Sequence, residues 1–237
     1  MALGACSDQI DLGTDSRVWF ADFETGDLSQ WQEGGTSAGG QLSTLDAQLG
    51  VVTSPTPHGG RFAARSAIFA AGRQSYARLF RAGVMPTDAY YRVWMYIPAR
   101  YTIRQYWNVF EFQGRSDPAN PGSYVYLWSL DLQTSNGEMS WYLFDDQRAA
   151  QYNPSVTTVA PIQRWFLVEA FMHQATDNTG QVTFWVDGNL LKDVTGVSTV
   201  PTMWLSWNVG GSSPEITDPP AEIFLDDAEI ALTRSKQ

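Results

Sequence analysis

The sequence predicts an all-β fold, a two-sheet antiparallel β-sandwich of the jelly-roll kind. Short runs rich in aromatic and β-branched residues recur at 17–23, 47–53, 61–69, 75–82, 89–97, 103–113, 123–132, 138–144, 165–173, 181–186, 203–209 and 222–231. Gly, Pro, Asn and Asp punctuate them, as strands require. No segment carries the 3.6-residue apolar period of a helix, so βα alternation is excluded and stacked antiparallel sheets remain. A chain of 237 residues can bury a full core, and sandwiches reach this size undivided. We therefore expect one jelly-roll domain over 17–233 after an N-terminal tail of 1–16.

Several strands carry a readable two-residue period. In 89–97, Arg92, Trp94 and Tyr96 share the face opposite Val93, Met95 and Ile97. In 103–113, Gln105, Trp107, Glu111 and Gln113 share one face while Phe110 and Phe112 point the other way. Apolar residues on one side and Trp interleaved with amide and carboxylate on the other suit a core beneath and a polar, ring-shaped ligand above; a sugar is the simplest. Tyr124, Tyr126 and Trp128 extend this polar-aromatic surface to a third strand. In 165–173, Glu169, Phe171 and His173 oppose Phe166, Val168, Ala170 and Met172. Run 181–186 ends in Asp187-Gly188, a strong hairpin signal. The Pro-containing gaps 54–60, 116–122, 153–161 and 211–220 read as surface loops.

The net charge of −10 and a pI near 4.5 argue against a nucleic-acid partner, whose recognition rests on a basic footprint. Nearly all the basic residues are Arg, which suits bidentate capture of carboxylates and hydroxyls. Cys6 is the only cysteine, so no intrachain disulfide forms and the core must suffice. Leu3-Gly4-Ala5-Cys6-Ser7 resembles the end of a bacterial lipoprotein signal, which implies export to the cell envelope or beyond, with a lipid anchor at Cys6. No run approaches the roughly 18 apolar residues of a membrane span. A monomer is expected.

A resemblance covers about 20–231. The segment Phe20-Ala21-Asp22-Phe23-Glu24-Thr25-Gly26-Asp27-Leu28-Ser29-Gln30-Trp31, then His58-Gly59-Gly60-Arg61, Trp165 with Val168-Glu169, the Trp185-Val186-Asp187-Gly188 hairpin and Ile223-Phe224-Leu225-Asp226-Asp227 follow one another as in concanavalin A-like jelly rolls. Among these the chain resembles the heparin-lyase-like and glucuronan-lyase-like polysaccharide lyases and the laminin-G-like sugar-binding domains. The resemblance implies a polysaccharide or oligosaccharide held on the concave face of one sheet. It also implies a structural Ca2+ at Glu24, Asp226 and Asp227, hard oxygen donors that tie the first strand to the last, and no organic cofactor. Two departures stand out. Such lyases often carry Gln-Trp-His-Gly on a central strand, where this chain reads Glu111-Phe112-Gln113-Gly114, with Gln in place of the catalytic His. Their Tyr-x-Lys-x-Gly strand is matched here by Leu205-Ser206-Trp207-Asn208-Val209-Gly210, and Trp207 joins the candidate sugar-stacking residues.

Three functions are open on these residues. A lyase acting by β-elimination on a uronate-containing glycan is the first choice; it needs a group to neutralise the carboxylate, a base and an acid. Gln113, Asn108 or Arg92 are candidates for the first, and His58 or His173 with Tyr124, Tyr126 or Tyr142 for the others. A glycoside hydrolase needs two carboxyl groups about 5–10 Å apart, for which Glu111, Glu138 and Glu169 are candidates. A non-catalytic carbohydrate-binding module needs only the aromatic platforms and amides.

Overall fold

The computed structural model describes residues 16–32, 38–154 and 158–234. Cys6, with the anchor expected there, lies outside them. In chain order the elements are β1 (Arg17–Ala21), the single-turn helix α1 (Ser29–Gln32), β2 (Ala38–Leu45), β3 (Ala47–Val52), β4 (Ala63–Ile68) and β5 (Ala71–Gly83). The chain continues through β6 (Asp88–Tyr96), β7 (Trp107–Arg115), β8 (Tyr124–Ser135), β9 (Glu138–Asp145) and β10 (Ala150–Tyr152). It closes with β11 (Trp165–His173), β12 (Gly180–Val186), β13 (Asn189–Val197), β14 (Leu205–Glu215) and β15 (Ala221–Ala231). No described helix is long and apolar enough to cross a membrane.

Two antiparallel sheets result. One runs β13-β12-β11-β6-β15-β4-β3, with β1 added to β15, and the other runs β10-β9-β8-β7-β14-β5-β2. The predicted sandwich is therefore present, built from more strands than the sequence displays. Edge strand β2 reads Ala-Gly-Gly-Gln-Leu-Ser-Thr-Leu and edge strand β10 has three residues, so neither carries a run of β-formers. Strand β14 continues through Gly210 to Glu215, into the 211–220 stretch where a loop is expected from the sequence. Gly210 has φ +114°, and a Cβ there would stand 2.3 Å from the Ala77 carbonyl oxygen, so only glycine lets β14 run this close beside β5. The Asp187-Gly188 turn has φ values of 47° and 73° and joins β12 to β13 as its sequence predicts.

The core lies between the sheets and is held by aromatic residues that reach across it. Tyr91 of β6 meets Phe112 of β7 at 4.9 Å between ring centroids, and Phe184 of β12 meets Phe110 at 5.4 Å. Trp207 of β14 packs on Tyr91 and on Trp31 of α1, each at 5.6 Å. Each fully buried aromatic of this kind contributes about 1.5–3 kcal/mol through area removed from water, and the edge-to-face geometry adds to it.

Two irregularities in β7 decide which residues it offers outward. Asn108 pairs with Asp131 and Phe110 with Leu130, so Val109 is an extra residue that bulges the strand. Trp107 and Asn108 consequently lie on the faces opposite to those a strict alternation gives: Trp107 is buried in the core and Asn108 joins Glu111 and Gln113. A second shift, where Phe112 pairs with Trp128 and Gln113 with Tyr126, turns Trp128 into the core while Tyr126 stays outside.

Candidate functional site

The outer face of the seven-stranded sheet carries a cleft of about 740 Å³. Its floor is laid out in rows across the strands. One row reads Phe144, Ser129, Glu111, Asn208, Phe80 and the next reads Tyr142, Asp131, Asn108, Ser212, Tyr76, from β9 through β8, β7 and β14 to β5. A third row carries Tyr126, Gln113 and Ser206. Arg78 projects from β5 between Tyr76 and Phe80, opposite the Gly210 bend of β14.

Glu111 organises this floor. Its carboxylate is ion-paired with Arg78 and accepts hydrogen bonds from Gln113 Nε2 at 2.6 Å and Asn208 Nδ2 at 3.1 Å. Glu111 and Arg78 are 4% and 7% exposed, so the pair is desolvated and its partners are needed to hold the charge. Each donor spends one N–H on Glu111. Arg78 has further N–H groups and each amide a second one, all on the cleft side of the sheet.

Beside this pair lie two carboxyl groups of a different character. Burial pushes Asp131 up to about 7 against the opposing hydrogen bond from Ser129 Oγ at 3.0 Å, and the charge of Glu111 pushes the same way. Burial likewise pushes Asp146, just after β9, up to about 7, reinforced by Glu111 and Asp145. Asp131 Oδ1 and Asp146 Oδ2 have no hydrogen-bond partner among the described residues. Burial, and then the charge of Asp131 across the strand pair, raise the Tyr142 hydroxyl well above the ordinary tyrosine range, so it keeps its proton. Burial also raises Tyr106, whose hydroxyl donates to Gln74 Oε1 at 3.1 Å.

Of the residues singled out from the sequence, Asn108, Glu111, Gln113, Tyr124, Tyr126 and Tyr142 come together here. The others do not. Gln105 is exposed in the turn before β7, and Trp107 and Trp207 are core residues with no face for a sugar. Arg92, Trp94 and Tyr96 alternate as read, but β6 belongs to the other sheet, and their face is turned away from the cleft. Arg92 there donates to the Thr233 carbonyl at 2.9 Å and lies 3.6 Å from Glu229. Glu169 and His173 sit on β11 of that sheet, bound to Arg234 and Asp88. His58 contacts Asp227 at 2.7 Å and stacks on Trp94 at 3.8 Å, so it holds the turn before β4. Glu138 is half-buried outside the cleft and paired with Arg100, which leaves Glu111 without either of its expected glutamate partners there.

Nothing in the sequence marks Arg78, Asp131, Asp146 or Asn208 as site residues. Asp131 and Arg78 alternate with apolar neighbours, Leu130 and Leu132 and Ala77 and Leu79, but many strands here alternate in that way. Only the pairing of β5, β14, β7 and β8 makes them neighbours.

Glu24, Asp226 and Asp227 gather around the 58–62 turn, the place the resemblance gives to calcium. Each has at least one oxygen engaged by a protein group. Glu24 Oε1 accepts from the Arg61 and Phe62 amides at 2.8 and 2.9 Å, and Asp226 accepts from the Gly59 and Asp227 amides at 3.1 and 2.9 Å. Asp227 is held by His58. Among the described residues no group of three or more His, Cys, Asp or Glu side chains is disposed to hold a metal.

Comparison with solved structures places this architecture. The chain is similar to an endo-β-1,4-glucuronan lyase from the fungus Trichoderma reesei, at 14% identity and a TM-score of 0.63 over 92% of this chain and 96% of that one. It is also similar to the cellulose-induced protein Cip1, at 15% identity and 0.59 over 92% and 99%. An alginate lyase from Aplysia kurodai matches at 12% identity and 0.57 over 91% and 98%. The chain has the concanavalin A-like jelly-roll fold. No protein-family model and no curated protein matches it. In this jelly roll the cleft lies on one sheet, while His173 lies on the other and His58 in the turn joining two of its strands.

Proposed function

We propose that the protein takes a uronate-containing polysaccharide into the cleft and cleaves it by β-elimination. The observation that carries the reading is the floor: Arg78, the one cation among the cleft-lining residues, is held in place by Glu111 with Gln113 and Asn208 alongside. Remaining N–H groups of Arg78 and Gln113 meet the substrate carboxylate and draw off charge as it develops. Asp146 removes the proton α to that carboxylate; a base near 7 combines a populated basic form with useful driving force. The freed electron pair forms the carbon–carbon double bond, the bond to the glycosidic oxygen breaks, and Tyr142 gives its proton to the leaving oxygen. Tyrosines around the rim, Tyr124 and Tyr126 among them, stack on the sugar faces. Export, with Cys6 as an anchor, belongs to the same proposal.

A second reading, glycoside hydrolysis, is favoured by one specific feature. Asp131 and Asp146, both pushed up to about 7, stand near a Glu111 ion-paired with Arg78, and a glycosidase divides its two carboxyl groups into an acid and an ionised partner in this way. One experiment separates the readings. The protein is incubated with a panel of polyuronates while absorbance at the unsaturated-uronate band is followed, with reducing-end release from neutral glucans measured in parallel. Rising absorbance supports elimination, and reducing ends without absorbance support hydrolysis. Silence in both, with retention on a glycan affinity gel, overturns catalysis and makes the protein a binding module.

A further inference from the structure

Beyond the third row of the cleft lies a cationic and aromatic platform whose Arg115 and Trp204 the chemistry above does not use. Arg115 ends β7 and pairs with Tyr124 at the start of β8. Two residues beyond Gln113 and two before Tyr126, respectively, they share the cleft's face and add one more row to it. The Arg115 guanidinium lies 3.9 Å from the ring centroid of Trp204 and 5.1 Å from that of Tyr124. Its Nη1 donates to the Pro118 carbonyl at 3.2 Å and its Nη2 to the Tyr124 hydroxyl at 3.3 Å. The two rings meet edge-on at 5.6 Å and 73°. Thr202 Oγ1 donates to the Arg115 carbonyl at 2.8 Å and fixes the segment carrying Trp204 to β7.

Two properties make this more than packing. Arg115 has no carboxylate partner among the described residues, and its Nε is buried without a hydrogen-bond acceptor. The aromatic surface around it stays accessible, with Tyr124 42% exposed and Trp204 half-buried. A rigidly held guanidinium framed by accessible rings matches a sugar that offers an apolar ring face and an anion together. The cleft interior is different, since there Arg78 faces Glu111, Asp131 and Asp146. We propose that Trp204, Arg115 and Tyr124 form an outer subsite that binds a further uronate residue of the chain, its ring against the aromatic pair and its carboxylate on Arg115. This rests on the reading of the cleft as a polyuronate site, and it assigns to the platform the dependence of binding on chain length.

The test is isothermal titration with oligoglucuronates and oligomannuronates of increasing length against the wild type, Arg115→Gln and Trp204→Ala, with neutral oligosaccharides of matched length beside them. Wild-type affinity is expected to rise with length. Both variants keep wild-type affinity for the shortest oligomers and bind the longer ones about tenfold more weakly, the scale of one good stacking or charge-assisted contact. Arg115→Gln leaves neutral oligomers unaffected. Variants that match the wild type at every length, or that lose equally on the shortest oligomers, overturn the subsite. A wild type that binds no uronate oligomer at any length overturns the reading of the cleft itself, a result visible without either variant. Should Trp204→Ala lower the melting temperature steeply, Arg115→Gln, which keeps both framing rings, carries the test.

Discussion

Replacing Arg78 by Met leaves the Glu111 carboxylate buried without its counter-charge, and the size of the penalty follows from the geometry. Both side chains are more than nine-tenths buried, so water cannot take over the role of the guanidinium. Removing one member of such a pair costs about 3–5 kcal/mol. Gln113 and Asn208 still donate to Glu111, at 2.6 and 3.1 Å, which places the expected loss near the lower end, ~3 kcal/mol. For a chain of this size that is a fall of roughly 6–12 °C in melting temperature. Urea unfolding followed by tryptophan fluorescence gives the free energy directly, since Trp31, Trp107 and Trp207 are all core residues. The double variant Arg78→Met with Glu111→Gln removes the orphaned charge and is expected to recover most of the loss. A single variant that loses less than ~1 kcal/mol, or a double variant no more stable than the single, would refute the claim that Glu111 depends on Arg78.

Other consequences are as direct. Asp131 and Asp146 have folded values of about 7 against an ordinary 3.8, so the folded state binds more protons between those limits. Stability is then full below about pH 4 and declines as pH rises to about 7. Asp131→Asn should remove part of that decline and stabilise the protein by ~2–4 kcal/mol above pH 7; melts that are flat from pH 4 to 8 in the wild type contradict it. Tyr142→Phe is expected to lower kcat by on the order of 10²–10⁴-fold with little change in KM, and an unchanged kcat removes Tyr142 as the acid. Gly210→Ala sets a Cβ 2.3 Å from the Ala77 oxygen at a φ of +114° and should cost ~3 kcal/mol or more, read as a steep drop in melting temperature. With Glu24 Oε1, both Asp226 oxygens and Asp227 Oδ2 engaged by N–H donors and His58, the melting temperature should be the same in EDTA as in calcium, and a rise with calcium would mean that the 58–62 turn rearranges to admit the ion.

How much of this was legible in the residues differs from strand to strand. Alternation was sufficient for β6, where Arg92, Trp94 and Tyr96 do share a face, and for the end of β7, where Glu111 and Gln113 do. It failed at the start of β7, because the bulge at Val109 shifts the period and nothing in Trp107-Asn108-Val109-Phe110 marks it. Trp107 and Trp207 read equally well as platforms or as core, since a large aromatic suits either side of a half-buried strand. The hairpin at Asp187-Gly188 was legible for the opposite reason: its backbone needs positive φ, and that requirement is written in the residue types.

The sequence by itself determined the class of fold, the spacing of most strands and the polar-aromatic character of the surfaces they offer, because side-chain period and turn chemistry are local properties. Tertiary structure alone decided which of those surfaces are one surface. The pairing of β14 between β5 and β7 sets Arg78 and Asn208 on Glu111, and the pairing of β6 with β11 and β15 carries Arg92, Glu169 and His173 to the other side of the molecule. Neighbours within a strand are fixed by its residues, whereas neighbours across strands are fixed by hydrogen-bond register between segments far apart in the chain. The candidate active site is built almost wholly from the second kind.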